Sequence, residues 1–233
     1  MRKGSSQGVP MRLGVLFSGG KDSTLALDLA SRSNRIACLV TLVSENPNSY
    51  MFHTPMIEKT VLQARSMEIP QLIRRTPGEK EAELEDLEAA ILDAKETYGV
   101  EGIVSGAIDS AYQASRIQRV CRRARVWCFN PLWQRPQSEV VREFVQRGYV
   151  AVISAVAAYP LGEEWLGRRL DQQSLDMLER LHGELSLNPA GEGGEFETFV
   201  LDGPLFKRPL RIRSLTKRYW NYAGFIEADL EMG

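Results

Sequence analysis

The sequence predicts an α/β protein in which a doubly wound, Rossmann-like parallel sheet occupies residues 11–130 and a smaller α+β domain occupies residues 131–233. Up to Phe129, apolar runs of strand length alternate with segments of helical periodicity, which is the pattern of βαβ units with right-handed crossovers. A loop rich in glycine and serine follows the first of these strands. Because ligands bind at the carboxyl edge of such sheets, this loop is the first candidate for a functional site.

In the first domain, apolar runs identify the strands, and apolar stripes between turn residues identify the helices. Residues 36–43 form a continuous apolar run, as expected for a parallel strand that is covered on both faces. Pro55 and Pro70 bound one helix, and the long acidic helix that follows carries one apolar stripe. The expected strands cover 12–17, 36–43, 71–76, 102–106 and 126–129, and the expected helices cover 24–31, 56–67, 79–98 and 110–125.

From Asn130 onward the alternation changes, which predicts a second unit packed closely against the first because no flexible linker separates them. Its helices are expected over 137–147 and 163–182, and its strands over 149–158, 199–201, 210–215 and 219–228, with a glycine-rich loop over 188–198.

The composition is that of an ordinary soluble globular protein, with 43% hydrophobic and 25% charged residues. A formal net charge of -1 provides no global basic field for nucleic acid, and no apolar run approaches the roughly 18 residues needed to span a membrane. The composition is also compatible with a homo-oligomer. Three cysteines without a C-x-x-C pair suit a reducing cytoplasm, and Cys121 with Cys128 leaves open a redox pair for sulfur transfer.

The loop Ser18–Ser23, with the sequence SGGKDS, has the chemistry of a phosphate site. It precedes a helix, whose N-terminal amides and dipole favour an anion, while two glycines let the backbone turn and Lys21 adds a positive charge. Asp22 would repel phosphate unless a cation lay between them, so it is a candidate ligand of Mg²⁺. The spacing differs from G-x-x-x-x-G-K-[ST] and from G-x-G-x-x-G. The alternative is a plain Gly-Ser turn before a surface helix.

SGGKDS resembles the pyrophosphate-binding loop of the N-type ATP pyrophosphatases, which implies a sheet of the HUP type, cleavage of ATP between the alpha and beta phosphates, and adenylation of a substrate. Four further stretches, MFHTP at 51–55, SGAI at 105–108, EWLGR at 164–168 and EGGEFET at 192–198, resemble the diphthine–ammonia ligase family. The resemblance extends from residue 11 to about residue 206, and EGGEFET is its most specific motif.

The resemblance implies that the chain amidates diphthine on translation elongation factor 2, with ATP, Mg²⁺ and ammonia, through an acyl-adenylate. It also implies a cytoplasmic enzyme without the extra C-terminal domains of the eukaryotic members, and therefore free ammonium as the nitrogen donor.

The resemblance implies these site residues. Pyrophosphate would be held by Ser18, Gly19, Gly20, Lys21 and Ser23, with Asp22 on Mg²⁺, and His53 and Gly106 would contact the nucleotide. Tyr112, Gln113 and Arg116 match the family's YQ-x-x-R pattern, and the acidic loop Glu192, Gly193, Gly194 and Glu195, with Trp165 or Phe196, would receive the cationic diphthine side chain. Lys21, Asp22, Glu195 and Glu197 are the catalytic candidates. A solvated helix face around Tyr112 and a polar turn at EGGEFET are the simpler structural interpretations.

Two other functions remain open from the sequence. A tRNA thiolase or lysidine-type ligase would share the phosphate loop, but it calls for a basic RNA-binding surface and usually for cysteine pairs. A module that binds adenine nucleotides without turnover would release no pyrophosphate.

Overall fold

The computed structural model describes residues 9–46, 56–79 and 82–233, and its first sheet matches the predicted α/β fold class. Five parallel strands lie in the order β3-β2-β1-β4-β5. These strands are β1 Arg12–Leu16, β2 Arg35–Ser44, β3 Gln71–Thr76, β4 Gly102–Val104 and β5 Trp127–Phe129, and the helices between them are α1 Lys21–Ser31, α2 Thr60–Met67, α3 Ala82–Tyr98 and α4 Ala111–Ala124.

The sheet is covered on both faces, which explains the apolar runs in its strands. The helices α3 and α4 pack with β2 and β4 in one apolar cluster, which contains Leu87, Ile91, Val120 and Ile103. The helices α1 and α2 belong to a second cluster on the other face. The interior strand β2 is buried from Ala37 to Val43, as a strand with two covered faces should be.

The second unit is a four-stranded antiparallel sheet in the order β7-β6-β9-β8, accompanied by two helices. Its core is continuous with that of the first unit: Leu25 and Leu27 of α1 belong to the same apolar cluster as Val141 and Phe144. The division near residue 130 stays a prediction. The elements are α5 Gln137–Gln146, β6 Val150–Val156, α6 Gln172–Leu185, β7 Phe196–Asp202, β8 Leu210–Trp220 and β9 Ala223–Met232.

Several predicted boundaries in the second unit were wrong. The helix expected over 163–182 is divided into a 3-10 turn, Glu163–Trp165, and α6, which begins where the Asp171 side chain accepts a hydrogen bond from Ser174 N. The strand expected over 219–228 crosses a real turn, because Asn221 and Tyr222 both have positive φ and join β8 to β9 as a two-residue hairpin.

Two boundaries in the first unit also differ from the prediction. The helix α1 begins at Lys21 rather than Thr24, because Gly20 is extended and acts as its N-cap. The helix expected from residue 56 begins as a 3-10 turn, Ile57–Lys59, before α2. In the part of the chain that the structure describes, no helix combines the length and the apolar character that crossing a bilayer would require.

Gly106 lies directly over the first turn of α1. A Cβ atom at this position would approach Ser23 N and Asp22 C to 2.8 Å, which is closer than real Cβ contacts. The absence of a side chain at Gly106 therefore lets the loop after β4 meet the backbone of α1. The approach of this glycine to the nucleotide, which the sequence predicted, stays a prediction.

We expect Gly106→Ala to destabilise the fold by about 1–3 kcal/mol, because the backbone of α1 would have to move away from the new methyl group. Gly183→Ala is the matched control, since Gly183 lies in α6 with open space around its Cβ position. This control should be stabilising by up to about 1 kcal/mol. Urea unfolding of both variants measures the difference, and equal stabilities would contradict the packing argument.

Candidate active site

A cavity of about 410 Å³ opens at the carboxyl edge of the first sheet, between α1, the loop after β4 and the loop that leads into β7. Both units contribute side chains to it. The structure therefore brings most of the predicted site residues together. Those lining the cavity are Ser18, Lys21, Asp22, Ser23, Gly106, Gln113, Glu192, Gly193, Gly194 and Glu197, together with Phe196.

The phosphate loop is held in shape by its own serines. Ser23 Oγ accepts a hydrogen bond from Ser18 N at 3.3 Å, and Ser18 Oγ accepts one from Gly20 N at 3.4 Å. Gly19 has a φ of +80°, and a Cβ there would lie 2.4 Å from Gln63 Oε1, so this position needs glycine. The loop thus turns tightly into α1, whose N-terminus favours an anion.

Lys21 begins α1 and is only 4% exposed, which corrects its assignment to the loop. Its Nζ lies 2.8 Å from Asp22 Oδ2 and 5.4 Å from the centroid of the Phe196 ring. The ammonium group is thus enclosed between a carboxylate and an aromatic face. It projects into the cavity from the helix that would bind phosphate.

Asp22 has the features of a metal ligand. Burial raises the pKa of its carboxyl group, although Lys21 opposes this shift. Its Oδ1 atom is buried and has no hydrogen-bond partner in the described parts of the chain. Because no group of three His, Cys, Asp or Glu side chains surrounds a metal position in those parts, a Mg²⁺ ion bound here would take its other ligands from phosphate oxygens and water.

Glu197 is the second carboxylate at this end of the cavity. It belongs to β7, and burial raises its pKa to about 7, while Lys21 acts in the opposite direction and Asp22 and Glu192 add smaller upward effects. A carboxylate with this pKa can accept and return a proton near neutral pH. Glu197 is thereby suited to proton transfer.

Of the three glutamates of EGGEFET, Glu192 and Glu197 line the cavity and Glu195 does not. Glu192 Oε1 accepts hydrogen bonds from the backbone N–H groups of residues 108–110. Glu195 accepts hydrogen bonds from the N–H groups of Asn188 and Gly193 and does not line the cavity. The strand β7 already begins at Phe196, so Glu197 is a strand residue rather than a loop residue.

Other predicted site residues lie away from the cavity lining or cannot be placed. Trp165 is 2% exposed in the core, with the Arg168 guanidinium 5.2 Å from its ring centroid. The guanidinium carbon of Arg116 lies 3.5 Å from the ring centroid of Tyr112, and neither of these residues lines the cavity, although Gln113 beside them does. His53 lies outside the described residues.

The Cys121 and Cys128 thiols interact with one another, which raises the pKa of Cys121 and lowers that of Cys128. Cys121 is buried in the cluster beneath α3 and α4, and Cys128 packs against that cluster. Neither of them lines the cavity. A sulfur-transfer pair would have to reach the nucleotide, and these thiols do not.

Two residues that sequence reasoning missed connect the phosphate loop to the second unit. Gln63 Nε2 donates to Gly19 O at 2.9 Å and to Val200 O at 2.7 Å. Thr198 Oγ1 accepts a hydrogen bond from Lys21 N at 3.0 Å. Gln63 is fully buried in α2 beside Ala64 and Met67, and its polar character was the available signal.

The sheet order and the loop define the class of protein: an α/β protein with a glycine-rich turn, SGGKDS, between its first strand and first helix. Comparison with known families is more specific. The model for the diphthamide synthase N-terminal domain matches residues 11–127, and the model for the C-terminal domain matches residues 136–231. The chain belongs to the diphthamide synthase family.

Individual relatives agree with this assignment. The chain is 34% identical over 228 residues to human diphthine–ammonia ligase and 36% identical over 225 residues to the bovine protein, covering 84% of each relative and 88% of this chain. The diphthine–ammonia ligase of Schizosaccharomyces pombe is 32% identical over 215 residues, and the match covers 85% of this chain but 35% of that relative. The human and bovine relatives are covered almost throughout, so the expectation that eukaryotic members carry extra C-terminal domains is wrong for these two.

We expect Lys21→Ala to lower turnover by about 10²-fold or more, by analogy with removal of one preorganised donor.

The melting temperature of the Lys21→Ala variant should also fall, and it should fall more at pH 8 than at pH 5. The reason is that the Lys21 charge offsets Asp22 and Glu197, and at pH 5 Glu197 is already protonated because its pKa is about 7. Pyrophosphate release and thermal melting measure the two effects. Lys207→Ala, at an exposed residue outside the cavity lining, should change neither quantity.

Proposed function

We propose that this chain catalyses the ATP-dependent amidation of diphthine on translation elongation factor 2 to diphthamide, through an acyl-adenylate, with release of AMP and pyrophosphate. The observation that carries this proposal is that the phosphate loop and Glu197, which belong to different units, line one cavity. Similarity to diphthine–ammonia ligases across both units supports the same reaction. A translation factor as substrate would place the activity in the cytoplasm.

The first half-reaction requires the pyrophosphate to leave. The carboxylate oxygen of diphthine attacks the alpha phosphorus, the bond to the beta phosphate breaks, and negative charge accumulates on the departing group. Lys21 and the N-terminus of α1 would stabilise this charge, and the hydroxyls of Ser18 and Ser23 would position it. Asp22 would hold Mg²⁺, which supplies additional charge neutralisation.

The second half-reaction requires a proton acceptor. Ammonia attacks the acyl carbon, the bond from that carbon to the AMP oxygen breaks, and the new nitrogen must lose a proton to become an amide. Glu197 would accept this proton, because its pKa of about 7 leaves it ionised at slightly alkaline pH and basic enough to take up a proton. The role of Glu197 is therefore general-base catalysis.

The direct test incubates the chain with ATP, Mg²⁺, ammonium and elongation factor 2 that carries diphthine. The modified peptide should change from the acid to the amide, and AMP should appear only when this factor is present. Peptide mass spectrometry and nucleotide chromatography measure both products, and Lys21→Ala serves as the inactive control. ATP cleavage driven by tRNA, with diphthine unchanged, would support the RNA-modifying alternative. Nucleotide binding without pyrophosphate release would indicate a binding module.

We expect Glu197→Gln to lower the rate of amide formation by about 10²-fold while leaving ATP affinity nearly unchanged. In the wild type, kcat should decrease as the pH falls below about 7, because Glu197 becomes protonated, and the variant should lose this dependence. Single-turnover rates from pH 5.5 to 9 provide the measurement. A variant that retains the wild-type pH profile would exclude Glu197 as the base.

The raised pKa of Glu197 also predicts how Glu197→Gln changes the stability of the fold. Since burial raises the pKa of Glu197 in the folded state, its ionised form destabilises the fold above pH 7, and this penalty shrinks as the pH falls from the folded pKa of about 7 toward the ordinary carboxyl pKa of 4.5. Glu197→Gln should therefore raise the melting temperature at pH 8 more than at pH 5. Calorimetry at the two pH values provides the check.

A further inference from the structure

We infer that Glu192 is a positioning residue: its carboxylate fastens the loop before β7 to the N-terminus of α4 and thereby holds the second unit over the nucleotide cavity. Glu192 Oε1 accepts hydrogen bonds from Ile108 N at 3.1 Å, Asp109 N at 3.0 Å and Ser110 N at 3.1 Å. Ser110 is the N-cap of α4, so the carboxylate lies where the helix dipole favours a negative charge. Because this inference assigns a role within the reaction, it rests on the proposed function.

The oxygen that makes these contacts is committed to the protein. Three N–H donors converge on a single oxygen atom, and breaking these contacts would leave three backbone donors without that acceptor. A cationic substrate group therefore cannot use this oxygen without competing with the backbone. The sequence-based role, charge attraction for the diphthine side chain, does not account for this geometry.

The loop that carries Glu192 is stabilised by hydrogen bonds within it. A contact that fixes one of its residues therefore fixes the position of the whole loop. Glu195 Oε2 accepts from Gly193 N at 2.9 Å, and Glu195 Oε1 accepts from Asn188 N at 3.3 Å. The backbone of Glu195 accepts from Ala157 N at 2.8 Å, just beyond the end of β6. Glu192 joins this braced loop to a segment more than 80 residues earlier in the chain.

The contact is placed where it can affect catalysis. Ala107 and Ser110 line the same cavity as Glu192, and Glu197 follows five residues later in the chain. Movement of the loop away from α4 would displace Gly193, Gly194 and Phe196, which line the same cavity. A displacement on the order of 1 Å can cost about 10²-fold in rate. Glu192 therefore acts through the position of this wall of the cavity rather than by contacting substrate.

Two substitutions distinguish positioning from charge attraction. Glu192→Gln keeps a carbonyl oxygen that can accept the three N–H bonds but removes the charge, whereas Glu192→Ala removes both. Positioning predicts a kcat within about 3-fold of wild type for Gln and a loss of about 10²-fold for Ala, with little change in KM for the protein substrate. Charge attraction predicts that both variants raise this KM equally, and that result would overturn the inference. Glu184→Ala, at an exposed residue of α6, is the control.

Hydrogen exchange tests the same contact without the reaction. In Glu192→Ala, the amides of residues 108–110 should exchange at least about 10-fold faster than in wild type, whereas Glu192→Gln should retain protection. Unchanged exchange in the Ala variant would overturn the inference even if activity fell. If the wild type forms no diphthamide but the exchange pattern is as expected, the proposed function fails while the contact stands, so the two failures are distinguishable.

Discussion

The site depends on the attachment of β7 to the first turn of α1. Val200 N donates to Gly19 O at 2.9 Å, Gln63 Nε2 donates to the same oxygen, and Thr198 Oγ1 accepts from Lys21 N. These bonds satisfy buried backbone groups that would otherwise lack partners at a glycine-rich turn. They also determine where the residue next to Thr198, Glu197, can lie. One set of hydrogen bonds therefore shapes the phosphate loop and brings the second carboxylate to it.

The parts of the fold that local pattern determines could be predicted from the sequence. The strand β2 is a continuous apolar run because both of its faces are buried, and β3 was predicted with its observed bounds, Gln71–Thr76. The start of α1 was missed because SGGKDS contains residues that favour turns, whereas the extended Gly20 allows the helix to begin at Lys21. The long-range bonds of Gln63 and Thr198 span 44 to 177 residues, and no local pattern encodes such pairings.

The EGGEFET motif shows that the arrangement of the site, like the long-range bonds, could not be predicted from local sequence. The sequence placed Glu192 and Glu195 in one acidic loop, because a motif gives proximity in sequence but not the direction of each side chain. The direction of each side chain depends on the N–H groups that donate to it. For Glu192 these are the amides of residues 108–110, and for Glu195 they are those of Asn188 and Gly193. Glu197 differs from both because it lies in a strand, although it shares the cavity lining with Glu192. The acidic character of these side chains was predictable from residue type, whereas the separate role of each glutamate could be assigned only from the fold.

The charges that remain in the cavity are unbalanced in a way that suits the proposed reaction. One ammonium, on Lys21, offsets two partly enclosed carboxylates, Asp22 and Glu197, and burial raises the pKa of both acids. Such an arrangement is costly for folding unless cations bind, and ATP would add further negative charge. Mg²⁺ at Asp22 and a cationic nitrogen donor or substrate group near Glu197 would each restore balance. The free protein therefore keeps a destabilising negative charge in the site, and binding of the expected reactants would neutralise it. This is a physical reason for a glutamate at position 197, where a neutral residue would give a more stable fold.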